Sequence, residues 1–306
     1  MNLTNPIFNK MKTDVLGDNL AILVFGSTGS GKTPMIGELA EEYFKLYKRK
    51  TRLAAADKGG WDSIRPYVEL GIIQLEPMTG DPWVWWNNVI QGKVWRGGKW
   101  VEALDPEIAL YAFEGMTTLA DEVMKWMSTE SGKGKAIGGP SAGNFTVGSG
   151  VDSIKIGNNN MTHYKIAQNY VYEMVTRSQY LPGTTLWTAG DSRADDESVG
   201  GVVGPQTAGR AQTPEIPRWF NRTFHIVAEV QPMQAVKHIL YMDQHIELQS
   251  KGMAKAFTNS RIPLAGGEAT PIPVSIEPAS LVKALELLQQ RQGSAKDEIA
   301  KRLGLA

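Results

Sequence analysis

The sequence has no cysteine, which excludes disulfides, thiolate-bound zinc and iron–sulfur clusters and sits easily with a reducing compartment. Histidine is scarce as well, at four scattered residues, so a His-rich metal centre is not expected. No excess of one charge sign drives the chain towards nucleic acid or membrane, since Lys plus Arg equals Asp plus Glu at 32 each. Any contact with nucleic acid must come from local patches. No segment approaches the roughly 20 consecutive apolar residues that a membrane-spanning helix needs. The opening stretch, Met1 to Asn19, lacks the basic start and continuous apolar run of a secretory signal. Together these absences lead to the expectation of a cytoplasmic protein with no membrane partner. What the chain does have is length, 306 residues, and an ordinary hydrophobic fraction of 42%, enough for one large α/β domain or two small ones with a sizeable core.

Read along the chain, short apolar runs alternate with helical periodicity. Ala21 to Phe25 (AILVF) is predicted as a strand buried on both faces, as in the middle of a parallel sheet. From Pro34 to Lys48, Ile36, Leu39, Ala40, Tyr43 and Leu46 recur at three and four, the stripe of an amphipathic helix. Further strands are expected at Thr51–Ala56, Gly71–Leu75, Ile108–Phe113 and Thr184–Ala189, with helices near Trp61–Leu70, Thr117–Met127 and Thr162–Tyr180. The alternation implies a parallel sheet with right-handed crossovers. Thr223–Val230 and Val236–Met242 read as an antiparallel hairpin at the sheet edge. A helix is predicted at Ala279–Gln292 and a second at Lys296–Leu303. The Gly-, Ser- and Asn-rich stretches 128–160 and 190–217 read as long loops. The expected organisation is an extension over 1–17, one α/β domain over 18–265 carrying both loops, and a linker with a helical tail over 266–306.

One motif is specific. GSTGSGKT, residues Gly26, Ser27, Thr28, Gly29, Ser30, Gly31, Lys32 and Thr33, lies between a predicted strand and a predicted helix, the context a phosphate-binding P-loop requires. Glycines let successive amides turn towards phosphate oxygens, and the helix N-terminus adds favourable potential. Lys32 is expected to reach the β and γ phosphates of ATP, and the Thr33 hydroxyl to ligate Mg2+. Pro34 is compatible, because the first helical turn has spare donors.

Such a site needs a carboxylate at a neighbouring strand end to hold magnesium, and commonly another to orient water. Glu114 directly follows IALYAF and is placed for the first task, its plain alternative being a helix-capping or solvated acid. Asp57 ends the second strand and is the candidate for the second task, with capping of the next turn left equally open. The acids Asp191, Asp195, Asp196 and Glu197, interrupted by Arg193, fit no metal loop and read as a solvated segment.

Taken together, GSTGSGKT, the strand ending AADKGG, the segment LYAFEGMT, the strand LWTAGD and the stretch GPQTAGRAQTPEIPRWFNRTFHIV resemble phage-encoded RecA-like ATPases of the recombination and single-strand-annealing group, over roughly residues 18–263. Only the first motif is highly specific. The resemblance implies a RecA-like α/β fold with a central, mainly parallel sheet, helices on both faces and an antiparallel hairpin at the edge. It also implies Mg2+-dependent ATP hydrolysis in DNA recombination, repair or replication, a homo-oligomer, single-stranded DNA as a partner, and the host cytoplasm as location. In that family the metal-side carboxylate is usually Asp followed by Ser, where this chain has Glu114-Gly115. The second strand commonly ends in Asp and Glu before paired glycines, where this chain has Asp57 and Lys58, which puts the speed of turnover in question. Thr188 matches a polar sensor position, although the usual His two residues on is Gly190. KAFTNSRIP resembles the family's basic motif, so Lys255 and Arg261 are candidates to reach a neighbouring subunit's γ phosphate; the plain reading is exposed basic residues on an edge strand.

DNA contact would fall on the two loops, through Lys133, Lys135 and Lys155 with Phe145 in the first and Arg193 and Arg210 in the second. Gly-rich loops with a few cations are common, and the alternative of plain solvated loops stays open. The tryptophans of DPWVWWNNVIQGKVWRGGKW are expected to pack a helix and hairpin against the sheet rather than to stack on bases. Two rivals remain: a nucleotide-dependent assembly or DNA-packaging factor with a protein partner, and a small-molecule kinase, for which no compact Arg-rich lid is visible.

Overall fold

The computed structural model describes residues 20–57, 59–102, 107–132, 144–147, 154–157, 161–194, 202–209, 213–230, 235–242, 245–249, 252–256, 258 and 273–303. In chain order the first half holds β1 (Ala21–Phe25), α1 (Lys32–Tyr47), β2 (Lys50–Ala55), α2 (Arg65–Glu69), β3 (Ile73–Pro77), α3 (Pro82–Val89), β4 (Lys93–Arg96), β5 (Lys99–Glu102), β6 (Ile108–Glu114) and α4 (Met116–Gly132). Then follow β7 (Asn144–Val147), β8 (Ile154–Gly157), α5 (Met161–Ser178), β9 (Thr184–Ala189), β10 (Asp191–Ala194) and β11 (Val202–Pro205). The remainder comprises β12 (Arg222–Glu229), β13 (Lys237–Tyr241), β14 (His245–Gln249), β15 (Gly252–Ala256), β16 (Ser275–Ile276) and α6 (Leu281–Arg302).

Among the described residues the main sheet has eight strands in the order β16-β13-β12-β1-β9-β6-β2-β3. From β12 through β3 all neighbours are parallel, and β13 and β16 add antiparallel pairs at one edge. The order gives the mainly parallel α/β sheet with an antiparallel edge that the RecA-like expectation called for, with β9 inserted between the loop strand β1 and the carboxylate strand β6. The expected hairpin is present as β12–β13, but β12 is itself part of the parallel body, because its register with β1 runs from Ile22↔Arg222 to Phe25↔His225.

Strand alternation sorts side chains into two cores. Leu23 and Phe25 of β1 join a cluster with α3, α4 and α5, whereas Ile22 and Val24 join one with α1 and α6. β6 keeps both faces buried despite a register shift at Lys50/Thr51, where Ala109 is the extra residue. In the first core Trp86 is almost fully buried, with its ring 5.0 Å from Trp85, 5.2 Å from Trp187 and 5.6 Å from Phe113. Trp100 packs against the same core from the β4–β5 hairpin, and Trp95 meets it edge-on at 5.4 Å. Packing is therefore what Trp85, Trp86 and Trp100 do, as their sequence context suggests. Trp86→Ala is expected to cost about 3–5 kcal/mol, read as a lower denaturant midpoint with an unchanged slope; a midpoint at the wild-type value would contradict the packing.

Other elements differ from the sequence reading. The segment after β9 is not one long loop: β10 and β11 form, with β14 and β15, a second sheet of four described strands in the order β10-β11-β15-β14. Asp191-Ser-Arg-Ala carries no apolar alternation, so nothing local announced a strand. Within 128–160, α4 runs on to Gly132, and β7 pairs antiparallel with β8 in a register from Asn144↔Gly157 to Val147↔Ile154. The C-terminal helices are one: Gly293 costs about 1 kcal/mol relative to Ala but does not interrupt α6. Among the described residues no helix is long and apolar enough to cross a membrane.

Candidate phosphate-binding site

The loop leaves β1 at the C-terminal end of the parallel strands. Its first amide, Gly26 N–H, donates to Ala189 O at 3.2 Å, which ties it to the end of β9. Residue 26 has no room for a side chain, because a Cβ there would lie 2.2 Å from Ile226 O. Gly29 and Gly31 have φ of 81° and 101°, the left-handed region that glycine enters without steric cost. Gly31 is the N-cap of α1, and no side chain caps it, so the first amides of the helix are left for a ligand.

At the start of α1, the Lys32 amine donates to Gly26 O at 2.8 Å and Ser27 O at 2.7 Å, bending back over the loop. Burial lowers its pKa, while the charges of Asp191, Asp57 and Glu114 pull the other way. The Thr33 hydroxyl donates to Glu114 Oε1. The second oxygen, Glu114 Oε2, is buried without a hydrogen-bond partner among the described residues, and so is Ser30 Oγ. Burial, with the neighbouring charge of Asp57, raises the Glu114 pKa, against the Thr33 hydrogen bond and the Lys32 charge. A buried carboxylate with an unused oxygen beside a threonine hydroxyl suits a divalent cation. No group of three or more metal-ligating side chains exists among the described residues. Magnesium takes one or two protein ligands and completes its shell with phosphate and water, so a pair such as Thr33 and Glu114 would be enough to hold it.

Asp57 follows β2, and its Oδ1 accepts from the Thr118 hydroxyl of α4. Gly115 explains the departure from the Asp-Ser pattern: its φ is 89°, and a Cβ there would come within 2.8 Å of Asp57 Oδ1. The glycine thus makes room for the second carboxylate. Thr188, buried at the end of β9, accepts a hydrogen bond from Gly115 N–H at 3.1 Å, so it touches the backbone next to Glu114. Glu114, Asp57 and Thr188 are therefore gathered with the loop. Lys155, Arg193 and Lys255 lie on β8, β10 and β15. Lys58, Lys133, Lys135, Arg210 and Arg261 lie outside the described residues, as do Asp195, Asp196 and Glu197.

Three contributors escaped the sequence reading. Asp191 is not simply solvated: its carboxylate lies 3.9 Å from His225 Nε2, and of the carboxylates it acts most strongly on Lys32. Its place directly after β9 and Gly190 was the available signal. Thr117 Oγ1 accepts from Gly190 N–H at 2.9 Å and donates to Gln206 O at 2.8 Å, joining the end of β11 to the end of β9. His238 Nδ1 lies 2.8 Å from Ser30 O across 208 residues of sequence, a contact that no local pattern announces.

No protein-family model and no curated protein sequence matches the chain. Among solved structures, a KaiC-like protein from the hyperthermophilic archaeon Pyrococcus horikoshii is similar at 12% identity and a TM-score of 0.40, the match covering 77% of this chain and 88% of that one.

Proposed function

We propose that the chain binds ATP with Mg2+ and hydrolyses it, and that it works as a phage-type homo-oligomer on single-stranded DNA in recombination, repair or replication, in the host cytoplasm. The observation that carries the ATPase reading is the convergence of Lys32, Thr33 and the half-satisfied Glu114 at the mouth of a glycine-lined loop. The loop amides and Lys32 hold the β and γ phosphates, Lys32 exchanging its two carbonyl partners for phosphate oxygens. Thr33 and Glu114 hold magnesium, which when bound neutralises charge on the transferring phosphoryl group. Asp57, kept in place by Thr118, orients the attacking water. The sequence resemblance supports the DNA role, with the first loop and its Lys155 on the β7–β8 hairpin as the contact region and Lys255 and Arg261 reaching across a subunit boundary.

The second reading is a nucleotide-dependent assembly or DNA-packaging factor that turns over slowly. It is favoured by one observation: the second strand offers Asp57 alone, followed by Lys58, where relatives in the resemblance carry an added Glu. Phosphate release by the purified chain, with Mg2+ and with or without single- and double-stranded DNA, separates the two. DNA is expected to raise the rate about tenfold or more. Turnover indifferent to DNA would defeat the recombination role and favour the assembly factor.

A further inference from the structure

Beside the phosphate loop, on the side away from Glu114, lies a cavity of about 430 Å³, within the range of small-molecule sites. Pro34 and Met35 of the first turn of α1 form one wall, and Ile226 and Val236 another. The outer wall is Glu277-Pro278-Ala279, the approach to α6. The rim carries the Lys237–Glu277 ion pair at 3.0 Å, both partners about half exposed. α6 is fixed there by α1 itself: Glu38, which also lines the cavity, accepts from the Ser280 hydroxyl and, at 2.9 Å, from Leu281 N–H.

We propose that this cavity takes the purine nucleoside of the bound nucleotide, that the start of the C-terminal helix is part of that binding site, and that His238 links its occupancy to the phosphate loop. The proposal rests on the ATP reading of the loop. An apolar lining from Pro34, Met35, Ile226, Val236 and Ala279, with Lys237 and Glu277 at the rim, suits a base whose faces are apolar and whose edges and ribose are polar. Gly31 belongs both to the phosphate loop and to the cavity lining, so one ligand spans the two without a gap. His238 lines the cavity too. A carbonyl oxygen only accepts, so His238 Nδ1 is the donor to Ser30 O. Because a trans peptide points its N–H opposite to its C=O, this bond turns the Gly31 N–H away from the cavity.

The test is calorimetric titration with ATP and with inorganic tripolyphosphate, both with Mg2+. Wild type is expected to bind ATP about tenfold or more tighter than tripolyphosphate. Val236→Trp, at a position 46% exposed, and Ala279→Phe should each weaken ATP about tenfold while leaving tripolyphosphate within about twofold. His238→Ala should weaken both. Equal wild-type affinities, or filled variants that bind ATP like wild type, would overturn the nucleoside pocket. Unchanged tripolyphosphate binding by His238→Ala would overturn the link. If wild type bound neither ligand, the phosphate-site reading itself would fall first.

Discussion

Lys32→Ala is expected to lower ATP turnover by about 100-fold or more without unfolding the protein. The ammonium is the positive charge set against three carboxylates, Asp191, Asp57 and Glu114, in a site where burial already disfavours it. On the proposed ATPase reading, removing it would leave those acids facing the β and γ phosphates with magnesium alone to offset them. The hydrogen bonds lost are those to Gly26 O and Ser27 O, both belonging to a loop rather than to either core. Phosphate release should therefore collapse while the far-UV spectrum and melting temperature stay close to wild type. Turnover near the wild-type rate would remove this loop from the chemistry altogether.

How far this site was legible in advance depended on the range of the signals. The loop could be read because all its functional parts are contiguous: apolar strand, glycines, Lys-Thr and amphipathic helix follow one another from Ala21 to Tyr47. Glu114 and Asp57 could be placed because the first ends a strand and the second closely follows one, and parallel topology delivers strand ends to one edge. The pairing of Thr118 with Asp57, the role of Gly115 in making room for it, and the reach of His238 to Ser30 depend on contacts between elements distant in sequence, which no periodicity encodes. The second sheet was missed for a different reason. Asp191–Ala194 is polar, and its partner β11 is a short Val-Val-Gly-Pro, so its strand character comes from pairing rather than from propensity.

The second large effect concerns the carboxylate. Glu114→Gln keeps the side chain's size and leaves an oxygen for the Thr33 hydroxyl, but removes the charge that would face the cation. Turnover is expected to fall about 100-fold, with half-maximal Mg2+ moved to higher concentration and nucleotide binding in EDTA little changed. Thermal stability of the unliganded protein should not drop, since the variant takes a charge out of a buried position shared with Asp57. That combination distinguishes loss of a metal ligand from damage to the fold. A variant that kept its rate and its magnesium dependence would shift the metal-holding role to Asp57.

The position of β1 has a consequence for how the chain reaches this state. It is the strand from which the phosphate loop springs, yet its neighbours are β9 and β12, so the Ala21 amide finds its acceptor on Asn221, 200 residues further along. During synthesis the most apolar strand of the molecule must wait, unpaired on both edges, until most of the chain has emerged. Closure of so long a loop is slow, and an exposed AILVF segment is prone to self-association in the interval. Recovery of active protein should depend on concentration during refolding, and on chaperone supply during expression, more steeply than the stability of the finished fold would indicate.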